Sequence, residues 1–164
     1  MTTPLPDISE SWIDPIIDAV VSDIQLSGYF DKVQTHEPKS APGTDLTASL
    51  WFLALDPIPE GSGLAATSAR LAFNVRLQQN MLYEPQDLID PNLLRACANL
   101  IRRWHDNFDF DLDPMVRNVD CLGAYGTPLK AVSGYVEQDT PSRMYRVIDI
   151  ELPIIVNDVW PQIP

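Results

Sequence analysis

Residues 68–78 alternate between apolar side chains and polar or small ones, and this alternation constrains the fold more than any other stretch of the chain. Successive side chains of a β-strand point to opposite faces of a sheet, so the pattern predicts a strand with one face on a core. The other face meets water or a partner. The first set is Leu71, Phe73, Val75 and Leu77, and the second set is Arg70, Ala72, Asn74 and Arg76.

Two other segments carry apolar residues at the spacing of an amphipathic helix. The first, residues 11–27, is followed by Gly28, which favours a helix end. In the second, Asp90 is expected to cap the helix and Pro91 to take the first helical position, since the proline ring presets the backbone angle needed there. The apolar stripes are Trp12, Ile13, Ile16, Ile17, Val20 and Ile24 in the first helix, and Leu93, Leu94, Cys97, Leu100, Ile101 and Trp104 in the second.

Further segments have the composition of β-strands. Residues 47–55 are nearly all apolar, which predicts a central strand covered on both faces. The last two segments are expected to form a hairpin around residues 139–142. These predicted strands span residues 29–37, 47–55, 115–122, 129–138 and 143–152.

The predicted order is helix, three strands, helix and three strands, without the regular alternation of strand and helix that builds a parallel sheet. We therefore expect an α+β fold, with a mostly antiparallel sheet of about six strands and two main helices packed on one side. A chain of 164 residues with 45% hydrophobic residues suits one domain, residues 1–164. Extended loops are predicted at residues 38–46, 56–67 and 106–114.

The charge of the chain is strongly negative, with a formal net charge of -12 and 11 Lys and Arg residues. Nucleic-acid binding depends on clustered basic residues that contact phosphates, so this balance argues against a DNA-binding surface. Cys97 and Cys121, in a predicted helix and a predicted strand, are expected to be core thiols of a protein that folds in a reducing cytoplasm. The N-terminal residues lack a signal-peptide pattern, and the longest apolar run, residues 50–55, is too short to span a membrane.

The side chains expected of an enzyme are sparse in this sequence. Histidine is the usual general base near neutral pH, but neither His36 nor His105 has a recognisable nucleophile beside it. His105 instead suits an interaction with a helix dipole. Ser62 lies in a proline-rich loop between two strands, whereas a catalytic serine elbow joins a strand to a helix. We therefore predict no catalytic residues.

Two other segments resemble ligand-binding loops but lack essential residues. Residues 109–113 alternate carboxylates as calcium loops do, yet Pro114 stands where that loop requires glycine. Phe110 and Leu112 of this acidic segment are expected to tuck toward the core. Residues 123–126 lack the lysine and the following helix of a phosphate-binding loop. We therefore expect this segment to form a turn between two strands. No metal or cofactor site is predicted.

Polar and irregular apolar positions beside the strands offer candidate contact residues. Arg70 and Arg76, on the polar face of residues 68–78, suit a solvated surface or a subunit contact equally well. Met81 and Tyr83 lie outside any regular amphipathic pattern. They favour a contact, because Met, Tyr and Arg are enriched in the cores of interfaces.

Several sequence blocks occur in order between residues 27 and 160. They are residues 27–39 (SGYFDKVQTHEPK), 41–43 (APG), 62–70 (SGLAATSAR), 80–82 (NML), 84–87 (EPQD), 116–120 (VRNVD), 122–126 (LGAYG) and 155–160 (IVNDVW). Together they resemble the tail terminator proteins of long-tailed phages that infect actinobacteria. No block is a catalytic signature, and the ordered set is more specific than any single block.

The resemblance implies a structural protein of the virion that is assembled in the host cytoplasm and acts where head and tail meet. It implies a homo-oligomer, a hexameric ring, that caps the head-proximal end of the tail tube and stops tube polymerisation. The implied partners are the tail tube protein and a head-completion or stopper protein, while genomic DNA passes through without specific binding. On this basis Arg70, Arg76, Met81, Tyr83 and Arg117 are expected near subunit or tube contacts, and acidic charge is expected to line the channel.

Two alternatives stay open at this point. A head-completion or stopper protein is also a small acidic ring of mixed helices and strands. A small cytoplasmic enzyme that uses His36 or His105 with an acidic partner is the more distant alternative.

Overall fold

The computed structural model describes residues 10–38, 45–59, 62–138 and 143–162. Within these ranges the elements follow one another as helix, three strands, helix and three strands, so the predicted order is confirmed. A short 3₁₀ turn at Gln86–Leu88 precedes the second helix. The elements are α1 Ile13–Leu26, β1 Lys32–Gln34, β2 Thr47–Ile58, β3 Ala66–Asn80, α2 Ile89–Asp106, β4 Val116–Val119, β5 Lys130–Gln138 and β6 Arg143–Pro161.

The strands form one curled, mixed sheet in the order β1-β2-β3-β6-β4, and β5 pairs with a different stretch of β6 from β4. Among the described strands, β1 and β2 run parallel, whereas the other pairs are antiparallel. The longest ladder joins β3 to β6, from Ala66 opposite Pro161 to Asn80 opposite Tyr145. The predicted α+β class is therefore confirmed, with a mixed rather than a purely antiparallel sheet.

The alternation in β3 separates the two faces of the sheet as predicted. Phe73 of β3 and Leu152 of β6 stand opposite each other and are buried in the core. Both helices cover this face, because their apolar stripes belong to the same core. Leu94 is the exception: it was predicted in the stripe of the second helix but is exposed, because it lies at the side of α2 that faces away from the packed core. Asp23 of α1 accepts a hydrogen bond from Arg103 of α2 at 2.8 Å, which joins the helices side by side. The buried helix residues include Ile16, Val20 and Ile24 in α1 and Leu93, Cys97, Leu100 and Trp104 in α2.

The prediction that residues 47–55 form a strand covered on both faces is wrong for the second half of that segment. β2 is buried over its first residues, but Phe52, Leu53 and Leu55 have exposed fractions of 60%, 45% and 36%. β1 pairs with β2 only near its start, and a β-bulge at Leu53 breaks the register with β3. Beyond the reach of β1 no described strand covers the outer edge of β2, so these apolar side chains stay exposed.

Other strand boundaries differ because ladder pairing extends the strands. β6 continues to Pro161, past its predicted end, since it pairs with β3 and β4 and its residues 152–156 are buried. The predicted loop at residues 56–67 is shorter than expected, because β2 extends to Ile58 and β3 begins at Ala66.

Two predicted strands are shorter in the structure. Residues 29–37 contain only β1, which is limited to the residues opposite the start of β2, and residues 115–122 contain only β4, which ends before the chain turns at Asp120. The predicted loop at residues 38–46 lies largely outside the described residues. The predicted hairpin tip, residues 139–142, lies wholly outside them, and β5 and β6 pair antiparallel on either side of it.

The start of α2 also differs from the prediction. The helix begins at Ile89, directly after the 3₁₀ turn, and the preceding Leu88 makes no side-chain cap. Asp90 therefore lies inside the first turn, where its negative charge suits the helix dipole, and its carboxylate pairs with Arg146 of β6 at 2.9 Å. Pro91 follows in the same turn, where a missing N–H removes no helical hydrogen bond.

Candidate assembly surfaces

Exposed apolar side chains and polar clusters gather at the two ends of the long strands and along two edges of the sheet. We call the end where β3 begins and β6 finishes the Trp160 end. The opposite end, where β3 finishes and β6 begins, is the Asn80 end. The 15 residues of β3 join these two ends, a path of about 50 Å at the usual rise of a strand.

At the Trp160 end, the connection between β4 and β5 is folded by the carboxylate of Asp120. This side chain is buried, and its two oxygens accept hydrogen bonds from two backbone N–H groups of the connection at 2.7 and 2.9 Å. Arg117, one of the predicted contact residues, donates a hydrogen bond to the hydroxyl of Tyr125 at 3.4 Å. The predicted turn at residues 123–126 is confirmed, and Leu122 before it is 91% exposed.

Arg70 fastens this connection to the sheet. Its Nη2 donates to the carbonyl oxygen of Thr127 at 2.8 Å, and a carboxylate oxygen of Glu151 lies 3.7 Å from the same nitrogen. Gly126 permits this close approach, because a Cβ at that position would lie 3.1 Å from Arg70 Nε. Arg70, a predicted contact residue, is thus buried with its guanidinium engaged within its own chain.

Arg76 and Asp149 form a cross-strand ion pair on the face of the sheet opposite the helices. Arg76 Nε lies 2.8 Å from Asp149 Oδ1 and its Nη2 lies 3.1 Å from Oδ2, so the contact is bidentate. Asn74 donates to the same carboxylate at 3.2 Å, and the Arg76 guanidinium lies 5.1 Å from the ring centre of Trp51. Arg76, like Arg70, therefore already has partners within the chain.

Replacing Arg76 with alanine is expected to lower the free energy of unfolding by about 1–2 kcal/mol, because it leaves the half-buried carboxylate of Asp149 without its cation. The double variant Arg76→Met with Asp149→Leu removes both charges and is expected to recover most of this loss. Urea unfolding of the three proteins measures the effect. A double variant as unstable as Arg76→Ala would contradict the role given to the ion pair.

The Asn80 end carries a turn that presents Leu82 to solvent. The side-chain oxygen of Asn80 accepts a hydrogen bond from the backbone N–H of Leu82 at 2.8 Å, and Leu82 is 73% exposed. Met81 and Tyr83, two predicted contact residues, flank Leu82 but are partly buried against the core. The exposed apolar residue of this turn is therefore Leu82, and its exposure depends on turn geometry that alternation does not encode.

A cleft of about 340 Å³ lies beside this turn and includes Tyr29, Asp31, Asp45 and Tyr83 in its lining. The pKa of Asp31 is raised, first because its carboxyl shares a hydrogen bond with Asp45, and further by desolvation and by the charge of Asp45. The Asp31 carboxyl therefore takes up a proton at a higher pH than an isolated aspartate does.

Two apolar surfaces lie at opposite edges of the sheet. The first, which we call the β2 ledge, consists of Phe52, Leu53 and Leu55. These residues lie on the part of β2 that pairs with β3 but extends beyond β1 on its other edge. The second, the α2–β5 groove, is a cleft of about 480 Å³ between α2 and the strands β5 and β6. Its lining includes Leu93, Leu94 and Ile148 together with Arg95 and Arg146.

Arg146 holds the two sides of the α2–β5 groove together. Its guanidinium pairs with Asp90 of α2 at 2.9 Å and donates to the carbonyl oxygen of Gly134 in β5 at 3.1 Å. It also lies 4.4 Å from the ring centre of Tyr135, within the range of a cation–π contact. The helix and the edge strand are therefore linked through one side chain.

The side chains considered for catalysis make structural contacts. His105 Nδ1 lies 2.8 Å from the carbonyl oxygen of Ile101 in the last turns of α2, consistent with a place at the helix C-terminus. The hydroxyl of Ser62 accepts a hydrogen bond from the N–H of Ser68 at 3.0 Å and donates to a carbonyl oxygen of β2. His36 is exposed near the end of β1.

Both cysteines are free thiols. Burial raises the pKa of Cys97 and of Cys121, and the charge of Asp120 raises that of Cys121 further. Cys97 lies in α2 as predicted. Cys121 follows β4 rather than lying within a strand, because the chain turns at Asp120.

The acidic segment at residues 109–113 is tied to its own backbone. Asp109 accepts a hydrogen bond from the N–H of Asp111 at 3.0 Å. Phe110 is buried in the core and Leu112 packs against it, which confirms the predicted inward packing. Within the described residues, no group of three or more His, Cys, Asp or Glu side chains is arranged to hold a metal ion.

Neither the known protein-family models nor the sequences of curated proteins match this chain. In the described part of the chain, neither α1 nor α2 combines the length and the apolar character that a membrane span requires.

Proposed function

We propose that this chain is the tail terminator of a long-tailed phage. It is a structural protein that caps the head-proximal end of the tail tube, stops tube polymerisation and receives a head-completion protein. One observation carries this proposal: among the described residues, the sequence blocks that resemble tail terminators gather at the two opposite ends of one sheet. A protein that stands between a tube and a head-completion protein needs two such ends.

Four of these blocks meet at the Trp160 end. Residues 62–70 and 155–160 lie side by side, since β3 begins opposite the end of β6. Residues 116–120 contain β4, which pairs with the same part of β6. Residues 122–126 pack onto them where Gly126 approaches Arg70. Because these blocks come from three distant parts of the sequence, residues 62–70, 116–126 and 155–160, their contact supports a shared task at this end.

Three other blocks meet at the Asn80 end. Residues 80–82 and 84–87 form the segment that follows β3, and both contribute to one cleft beside β5. Gly28, Tyr29 and Asp31, from the block at residues 27–39, line a neighbouring cleft together with Gln79 and Tyr83. This second grouping lies at the far end of the same long strand.

Each end exposes apolar side chains from these blocks. At the Trp160 end Leu64 is completely exposed and Leu122 almost completely, whereas at the Asn80 end Leu82 and Tyr29 reach solvent. Clusters of exposed apolar residues are typical of surfaces that contact other proteins. The two ends differ in their residues, which suits two different partners.

The proposed assembly is a hexameric ring in the virion, built in the host cytoplasm and located between head and tail. A six-fold ring is a closed heterologous assembly, so each copy needs two different and complementary surfaces. The β2 ledge and the α2–β5 groove offer such a pair. With a net charge of -12 per copy, the ring repels the phosphates of the genomic DNA that passes through it.

Phage particles that lack this protein are expected to carry overlong tails without joined heads, because nothing stops the tube from growing. Supplying the wild-type chain in trans is expected to restore a uniform tail length. Electron microscopy of the particles measures both outcomes. Tails of normal length beside heads that leak DNA would indicate a head-completion or stopper protein instead, and would overturn the proposal.

The Trp160 end is tested by Leu122→Asp in the same complementation experiment. The new carboxylate places a charge in a contact that is otherwise apolar. The number of joined virions is expected to fall by about ten-fold or more, which corresponds to the loss of one apolar contact from the binding free energy. Leu26→Asp is the matched control, since Leu26 is also largely exposed but lies outside the resemblance blocks. Equal losses in both variants would argue against a specific role for the Trp160 end.

A further inference from the structure

We infer that neighbouring copies of this chain join head to tail, with the β2 ledge of one copy seated in the α2–β5 groove of the next. The inference rests on the proposed function only in taking the neighbours to be members of one ring. The occupant of the groove is therefore a second copy of this chain, and the contact joins two different surfaces.

The β2 ledge combines exposed apolar side chains with an unpaired backbone edge. Phe52 and Leu55 are exposed, and their partners across the ladder, Phe73 and Leu71, belong to the core. The ledge therefore faces the same side of the sheet as the helices. No described strand pairs with this edge of β2 beyond Ser49. Free apolar strand edges are templates for pairing with another chain.

The α2–β5 groove lies at the opposite edge of the sheet, on the same side. Ser133 of β5 stands opposite Ile148, a core residue, so this part of β5 also faces the helices. The groove volume of about 480 Å³ is within the range of protein pockets that enclose apolar ligands. Among the described strands β5 pairs with β6 alone, so its outer edge is free as well.

Strand directions allow these two edges to pair when copies follow one another around a ring. The strands β2, β3, β6 and β5 alternate in direction, because each adjacent pair is antiparallel. β2 of one copy therefore runs antiparallel to β5 of a neighbour that has the same orientation. Antiparallel edges can exchange backbone hydrogen bonds, so strand pairing and burial of the ledge stabilise the same contact.

The distribution of charge favours a second copy as the occupant. Copies with a net charge of -12 repel each other over most of their surface. The stretch of β2 beyond β1, residues 50–58, carries one charged residue, Asp56, which stands opposite Arg70 and therefore lies on the face away from the helices. The groove contains Arg95, which has no ion pair among the described residues. Seating the ledge in the groove therefore brings an uncharged apolar surface of one acidic copy against a groove that carries a cation, where repulsion between the copies is weakest.

Two single variants test the two halves of the contact. Phe52→Asp places a charge on the ledge, and Leu94→Asp places a charge in the groove. Because both side chains are exposed in the single chain, both variants are expected to fold. In size-exclusion chromatography with light scattering, the wild-type chain is expected to form closed oligomers and each variant to stay monomeric. An equal mixture retains one intact ledge and one intact groove. It is expected to form dimers, with twice the monomer mass, and nothing larger.

Two results of this experiment would overturn the inference. Self-association of Leu94→Asp alone would indicate that two ledges pair with each other, and a mixture that stays monomeric would show that ledge and groove do not meet.

A wild-type chain that stays monomeric in solution is examined by disulfide trapping at high concentration. Phe52→Cys mixed with Leu94→Cys is expected to give covalent dimers under oxidation, whereas Leu26→Cys mixed with Leu94→Cys is expected to give none. Absence of the first dimer would overturn the inference. Tail length is a separate readout, since oligomers that form through this contact but fail to limit tails would refute the terminator function and leave the contact standing.

Discussion

Replacing Leu100 with alanine is expected to lower the free energy of unfolding by about 3–5 kcal/mol. Leu100 is completely buried in α2, within the core that both helices share with the sheet. Truncation removes the free energy of burying its side chain and leaves a cavity that the surrounding residues fill only in part. Because the free energy of unfolding of a single domain is about 5–15 kcal/mol, this change removes a large fraction of the stability of the protein.

Leu94→Ala is the matched control, since it is the same residue type in the same helix but is 65% exposed. Its effect on the free energy of unfolding is expected to stay below about 0.5 kcal/mol. Urea unfolding followed by far-ultraviolet circular dichroism measures both variants. A loss in Leu94→Ala comparable with that in Leu100→Ala would contradict the described packing of α2. Because Leu94 lines the α2–β5 groove, the same variant is expected to weaken self-association.

The elements that could be predicted from the sequence are those buried on one side. Residues 68–78 form part of β3 as expected, because their apolar face continues across the ladder into β6 and the core. The apolar stripes of α1 and α2, apart from Leu94, could be predicted for the same reason, since each helix packs one face on that core. Periodicity records which side of an element is covered, and here it agrees with the structure.

Residues 47–55 show where periodicity fails. An unbroken apolar run is typical of a strand that is covered on both faces, and the prediction for this segment follows that rule. The same run also suits a strand that contacts another chain. In the structure Phe52 and Leu55 extend past β1 to an edge that no described element covers. A single sequence therefore does not distinguish burial in a core from burial between copies.

The predicted contact residues illustrate a second limit. Arg70 and Arg76 are polar positions in β3, yet their guanidinium groups meet carboxylates of β6 that are distant in the sequence. Met81 packs against the core, while its neighbour Leu82 is exposed. Turn geometry and long-range ion pairs decide which side chain reaches solvent. Neither produces a periodic pattern of apolar residues that could be recognised in the sequence. A role for Arg70, Arg76 and Met81 in subunit contacts stays a prediction.

Asp120→Ala is expected to lower the free energy of unfolding by about 2–4 kcal/mol and to release the β4–β5 connection from the sheet. The Asp120 carboxylate is buried and accepts two backbone hydrogen bonds, which are stronger than neutral ones because the acceptor is charged. Alanine leaves both N–H groups without this acceptor. The turn that brings Gly126 against Arg70 then keeps only its contacts with the side chains of Arg70 and Arg117, whereas the remainder of the sheet keeps its ladder pairing.

Asp18→Ala is the control, because Asp18 is exposed on α1, where alanine is compatible with the helical backbone. Its effect is expected to stay below about 0.5 kcal/mol. Urea unfolding measures the stability of both variants, and chymotrypsin digestion after Leu122 or Tyr125 measures release of the connection. If Asp120→Ala is cleaved rapidly yet still joins tails to heads at a temperature where it stays folded, the ordered connection is dispensable for docking. The expected result is the reverse: cleavage rises and joining falls together, because the Asp120 carboxylate folds the turn that follows the exposed Leu122.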